Sequence, residues 1–119
     1  MSIAVVDDDE AVREALQCLL ECLDYIVSIF GTAEEFLNSK QISDTSCLIT
    51  DVQMPGLSGL DLQDRLLAQG HRFPIIFIKM ARDENLRANA MKAGAVAFLR
   101  KPVNPDHLLG YLDKALRAA

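Results

Sequence analysis

Apolar residues recur along this chain with two periods that alternate from end to end. Ser2–Val6 is a short apolar run closed by acids and predicts a buried strand. Asp9 can cap a helix, and Val12, Leu16, Leu19, Leu20 and Leu23 then recur at helical spacing. Residues 25–30 are rich in β-forming side chains and predict a second strand. Thr32-Ala33-Glu34-Glu35 predicts a capping box opening a short helix, and residues 38–45 read as a polar loop. Residues 47–50 predict a third strand with Asp51 at its end. Met54-Pro55-Gly56 breaks the chain before a helix that starts at Ser58-Gly59 and carries Leu62, Leu66 and Leu67. Pro74 opens a strongly apolar fourth strand over 75–78. A helix over about 83–93 stops at Gly94, a good residue to end a helix in the left-handed conformation. Residues 95–99 predict a fifth strand, and Asn104-Pro105 opens a last helix striped by Leu108, Leu109, Leu112 and Leu116.

Strands that are apolar nearly throughout belong in a parallel sheet covered on both faces. Five of them alternating with five helices predict an α/β fold, a doubly wound five-stranded parallel sheet. The 119 residues match one domain with one core, and no repeat, linker or low-complexity tract divides them.

Charge and cysteine content narrow the function. Seventeen acidic against 12 basic residues give a formal net charge of −5. Such a chain lacks the basic face a duplex requires, so nucleic acid is not expected as a direct partner. No apolar run approaches the about 20 residues that span a bilayer, and Met1-Ser2-Ile3 does not begin a signal peptide. Cys18, Cys22 and Cys47 are odd in number and lack metal-like pairing, which suggests a reducing, cytoplasmic compartment. Cys18 and Cys22, four apart, read as small helix-face residues. His71 and His107 carry no assigned chemistry.

In an open parallel sheet, ligands bind beyond the carboxyl ends of the strands. There the first strand delivers Asp7, Asp8 and Asp9, the third Asp51, the fourth Lys79 and the fifth Lys101. Carboxylates gathered in one place repel one another unless some are protonated or a cation joins them. Hard oxygen donors in this number suit Mg²⁺, which keeps waters and bridges to phosphate. The loop after the first strand has no Gly, Ser or Thr with which to cradle a phosphate alone, which weighs against a flavin-nucleotide site. Asp9 reads as a helix cap rather than a ligand, and Gln53 as a loop residue whose backbone carbonyl faces the site. Lys101 reads either as a solvated loop lysine or, because it lies beside the acids, as a phosphate contact.

The same residues carry a resemblance. Val5-Val6-Asp7-Asp8-Asp9-Glu10, Asp51-Val52-Gln53-Met54-Pro55-Gly56-Leu57-Ser58-Gly59, Met91-Lys92-Ala93-Gly94-Ala95 and Phe98-Leu99-Arg100-Lys101-Pro102 stand in the order found in bacterial two-component response-regulator receiver domains. Over nearly its whole length the chain resembles that CheY-like family, and most of all its FixJ-like group. The resemblance implies a (βα)5 flavodoxin-like receiver fold over residues 1–119, with the group's usual DNA-binding output domain absent from this chain. It implies that Asp51 is the phosphoacceptor for a partner histidine kinase. It further implies that Mg²⁺ is held by Asp8, Asp51 and the backbone carbonyl of Gln53, with Asp7 acting through water. Lys101 would contact the phosphoryl oxygens, the Lys101–Pro102 bond would be cis, and Phe98 would be the switch aromatic. The first helix would meet the kinase. The fourth helix, fifth strand and fifth helix, with Asn89, Lys92, Arg100 and Tyr111, would meet an output domain or a second copy.

One position departs from that pattern. Lys79 stands where the family has Thr or Ser, whose hydroxyl bonds the phosphoryl group and moves with it. A lysine is longer, charged and a donor only. Two readings follow: a phosphoacceptor with altered switching, or a phosphorylation-independent interaction module locked by a Lys79–Asp51 pair. A metal-dependent phosphatase is a third, but it needs a second acid near the acceptor, and Gln53 occupies the place where haloacid-dehalogenase-like enzymes carry one. The chain is therefore expected to be a signalling domain that catalyses only its own phosphorylation and dephosphorylation.

Overall fold

A computed structural model describes residues 2–54, 56–79, 84–101 and 103–117. The expected chain break at Pro55, the helix start at Asp83, Met80 beside Lys79, and the Lys101–Pro102 bond lie outside the described residues. Five strands, β1 (Ser2–Val6), β2 (Ile26–Phe30), β3 (Cys47–Asp51), β4 (Ile75–Lys79) and β5 (Ala97–Arg100), alternate with α1 (Glu10–Glu21), α2 (Ala33–Leu37), α3 (Gly59–Ala68), α4 (Glu84–Lys92) and α5 (Pro105–Arg117). All pairings are parallel, in the order β2-β1-β3-β4-β5. This is the predicted doubly wound, flavodoxin-like (βα)5 architecture. Among the described residues no helix is long and apolar enough to cross a membrane.

The pleat sends alternate residues to opposite faces and so makes two half-cores. Ala4, Val6, Leu48 and Phe77 pack with Phe36 of α2, Leu62 and Leu66 of α3, and Ala90 of α4. Ile3, Val5, Ile49, Ile76 and Ile78 pack on the other face with Leu16 and Leu20 of α1 and Leu108 and Leu112 of α5. Every residue of β3 and β4 is buried. Cys47 is part of this core, and burial pushes its thiol up to about 12, far from the reactive thiolate range. Cys18 and Cys22 are exposed on and just after α1.

Local deviations from the sequence pattern have identifiable causes. The fifth strand begins at Ala97 rather than 95 because Gly94 takes φ +105 and the amides of Gly94 and Ala95 close α4 onto Met91 and Ala90. The second strand begins at Ile26 because the Tyr25 amide is used to close α1 onto Leu20, through Asp24 at φ 68. Leu23 therefore leaves the helical stripe and is 45% exposed. The capping box at Thr32 is only half formed. Thr32 accepts from the Glu35 amide, but the Glu35 carboxylate accepts from Gly31 rather than from Thr32. The 38–45 loop contains a 3-10 turn, Lys40–Asp44, capped by Ser39. A full capping box does form at α3, between Ser58 and Asp61.

Gly59 fixes how closely α3 approaches the end of β3. Its amide donates to Val52 at 2.8 Å. A Cβ at this position would stand 2.4 Å from the Asp51 carbonyl oxygen and 3.0 Å from the Val52 Cα. Both are backbone atoms that cannot rotate aside, so only glycine fits. Gly59→Ala should cost about 1–3 kcal/mol, the usual range for overpacking, read as a lower denaturant midpoint at unchanged slope. A midpoint equal to the parent's would refute the constraint.

Candidate functional site

The order β2-β1-β3 places a topological switch between β1 and β3, where the chain reverses its direction of winding. Helices on opposite faces leave a crevice there, at the strands' carboxyl ends. The ends of β1 and β3 supply its walls, so the sequence segments around Asp7 and Asp51 meet although they stand 44 positions apart in sequence.

Asp7 is fully buried, Asp51 is 7% exposed, and Asp8 is exposed at the rim. Carboxylate oxygens of the three lie within 4.8 Å of one another. Each buried acid is partly stabilised by a backbone amide two residues on. The Asp9 amide donates to Asp7 Oδ1 at 2.9 Å, and the Gln53 amide donates to Asp51 Oδ1 at 3.0 Å. Asp9 itself caps α1, accepting from the amides of Ala11 and Val12, as its position predicts.

Lys101 supplies the cation. Its Nζ donates to Asp51 Oδ2 at 2.8 Å and lies 2.9 Å from Asp7 Oδ2. The contact with Asp7 is a close ion pair rather than an aligned hydrogen bond. Among the described residues Asp7 Oδ2 is the buried side-chain oxygen without a hydrogen-bond partner. Burial raises the Asp7 carboxyl above its ordinary value, and the Asp51 charge adds to this, outweighing the Asp9 amide and Lys101. Burial alone would lower Lys101, but its contacts with Asp51 and Asp7 outweigh that and hold the ammonium above its usual range. The backbone carries Lys101 in, because its amide donates to the Lys79 carbonyl at 2.7 Å.

A buried carboxylate oxygen with no hydrogen-bond partner and two more carboxylates close by form an all-oxygen donor set, which fits a small divalent cation. The remaining expected residues are distributed around this centre. Gln53 is exposed, and its amide is the part that touches Asp51. Lys79 is 5% exposed at the end of β4, one residue past Ile78, which pairs with Asp51. Phe98 is half-buried in β5, with its ring 6.2 Å from that of Phe77.

Two contacts were not anticipated from the sequence. Arg13 Nη1 donates to the Asp7 carbonyl at 2.7 Å, and Glu34 Oε1 accepts from the Leu57 amide at 3.1 Å, bracing the loop after β3. Arg13 did leave a trace. It is the only basic residue of α1 and lies near the helix N-terminus, where the helix dipole disfavours a cation. Glu34 left none, since its partner is 23 residues away.

The family model described as response regulator receiver domain matches residues 3–113. The response regulator protein TodT of Pseudomonas putida is 44% identical over 117 residues, covering 98% of this chain and 52% of that protein. The transcriptional regulatory protein FixJ of Bradyrhizobium diazoefficiens is 40% identical over 117 residues, covering 98% and 57% respectively. The chain thus spans about half the length of these curated relatives. Among solved structures, the response regulator StyR superposes with a TM-score of 0.91 at 39% identity, over 98% of this chain and 59% of that one. The crystal structure of FixJ-N gives 0.87 at 32% identity, over 99% and 94%. A match of this extent in both sequence and fold establishes that the chain belongs to the response regulator receiver domain family.

Proposed function

We propose that this domain accepts a phosphoryl group on Asp51 from a partner histidine kinase in a Mg²⁺-dependent reaction. The observation that carries the reading is the buried Asp51 carboxylate at a strand end, paired with Lys101 and converging with Asp7 and Asp8. An Asp51 carboxylate oxygen attacks phosphorus, the P–N bond to the donor imidazole breaks, and the electron pair leaves with the imidazole. Lys101 neutralises charge that builds on the phosphoryl oxygens, and the Gln53 amide holds the acceptor carboxylate in line. Asp7, Asp8, Asp51 and the Gln53 carbonyl would hold Mg²⁺, with Asp7 acting through water. Mg²⁺ would supply compensation for the charge shared by acceptor and phosphoryl group. The buried environment of Asp51 limits water's access to the product. The domain in this reading catalyses only its own phosphorylation and dephosphorylation. It acts in the cytoplasm and signals through Phe98 to the face built from α4, β5 and α5. That face would engage an output domain or a second copy, without itself touching nucleic acid or membrane.

Lys79 gives ground for a second reading. It is buried at the end of β4, and its backbone is joined to Lys101. A buried ammonium placed there would pair with the Asp51 carboxylate and hold the domain in one state without any phosphoryl group. The two readings differ in what Lys79→Thr does. If Lys79 only modifies switching, the parent gains one phosphoryl group from a small phosphodonor with Mg²⁺. If Lys79 locks the domain, the threonine variant alone shows a donor-dependent change.

Intact mass spectrometry with a small phosphodonor and Mg²⁺ should therefore show one added phosphoryl group on the parent and none on Asp51→Asn. A parent mass that never changes would sink the first reading. Equal responses of parent and Lys79→Thr, followed by amide NMR shifts, would sink the second.

Asp7 yields a pH prediction. Its carboxyl is raised in the folded, metal-free domain, so an ionised Asp7 costs stability once pH exceeds the folded value. Below the unfolded value of about 4, both states are protonated and the cost vanishes. Asp7→Asn should therefore raise the metal-free melting temperature at pH 7. The gain should shrink as pH falls towards 4. Added Mg²⁺ should narrow it from the other side by stabilising the parent. A gain that grows on acidification would contradict the sign.

A further inference from the structure

Asp7 is held through its backbone as well as through its carboxylate, whose Oδ2 pairs with Lys101. Its amide donates to the Phe30 carbonyl at 3.1 Å, and its Oδ1 accepts from the Asp9 amide. Its carbonyl accepts from Arg13 Nη1 at 2.7 Å, a short, charge-assisted bond. That carbonyl belongs to the peptide joining Asp7 to Asp8, so whatever orients it also sets the direction in which Asp8 leaves the strand. The Arg13 side chain is half-buried and rises from the first turns of α1, where its own amide donates to the Asp9 carbonyl at 3.1 Å. It also lies along the β2–α2 loop. A Cβ placed on Gly31 would stand 3.5 Å from Arg13 Nη1. The guanidinium thus fills the space between the loops that follow β1 and β2.

We propose that Arg13 is a positioning residue that fixes the Asp7–Asp8 peptide so that both carboxylates stay convergent with Asp51, and thereby sets the divalent-cation affinity of the site. The proposal rests on the metal-binding reading given above. Three carboxylates within 4.8 Å push apart, and Lys101 touches only two of them, Asp7 and Asp51. Asp8 is exposed and gains no such pairing among the described residues, so its place depends on the backbone that carries it. Removing the guanidinium leaves a partly buried carbonyl without its donor, and the peptide is then free to turn toward water. Charge alone predicts the opposite outcome, because deleting a nearby cation strengthens the binding of another.

The test compares Arg13→Ala, Arg13→Gln and Arg13→Lys with the parent domain. In the metal-free protein, amide hydrogen exchange at Asp7 and Asp9 should speed up in the alanine variant and stay near the parent rate in the lysine variant. The Mg²⁺ concentration for half-maximal phosphorylation by a small phosphodonor should rise about tenfold in Arg13→Ala, as for other residues that orient metal ligands. The rate at saturating Mg²⁺ should stay unchanged. Arg13→Lys and Arg13→Gln, which each keep a donor, should restore much of the affinity. Unchanged exchange, tighter Mg²⁺ binding in Arg13→Ala, or no rescue by lysine would each overturn the proposal. A parent that shows no Mg²⁺ response would overturn the proposed function and the metal part of this inference, whereas exchange decides the positioning part by itself.

Discussion

Repulsion among three carboxylates is the constraint on which the rest of this structure depends. Asp7, Asp8 and Asp51 bring oxygens within 4.8 Å of one another, two of them inside the protein. Left to themselves such groups would separate or take up protons. They stay together because each buried acid accepts an amide from its own loop and because one ammonium, Lys101, bridges Asp7 and Asp51. The compensation is incomplete: burial, with a smaller contribution from the Asp51 charge, keeps the Asp7 carboxyl above its ordinary value. A site built this way favours whatever brings further positive charge, and that is the physical basis of its proposed affinity for a divalent cation.

The scaffold has to be stiff for this to work. A parallel sheet buried on both faces provides stiffness, with β3 and β4 inaccessible along their whole length. Gly59 lets α3 close against the end of β3, Glu34 ties down the loop beyond it, and Arg13 ties the end of β1 to α1. Glu34 and Arg13 act on backbone groups, an amide and a carbonyl, rather than on the carboxylates themselves.

Lysines at the ends of β4 and just beyond β5 complete the picture. The Lys101 amide is joined to the Lys79 carbonyl by a 2.7 Å bond, which ties the two strand ends together. Lys79 is itself buried at the end of β4, 5% exposed, one residue past the partner of Asp51. Half-buried Phe98, packed beside Phe77, stands on the neighbouring strand.

Local patterns in the chain already specify the succession of strands and helices, the two-faced sheet, and the delivery of Asp7, Asp8, Asp51, Lys79 and Lys101 to one edge. Those features follow from short-range periodicity and from a topological rule that needs no coordinates. Asp9 as a cap was legible for the same reason, since a cap bonds amides two and three residues away. Tertiary structure decided where contacts cross between segments. That Lys101 bridges Asp51 and Asp7, that Arg13 reaches a carbonyl, and that Glu34 bonds an amide 23 residues on depend on register and helix placement, which no local pattern encodes. The boundaries at Ile26 and Ala97 shifted likewise, because the preceding helices use the intervening amides to close their last turns. Local chemistry thus named the participants, and packing between distant segments assigned their partners.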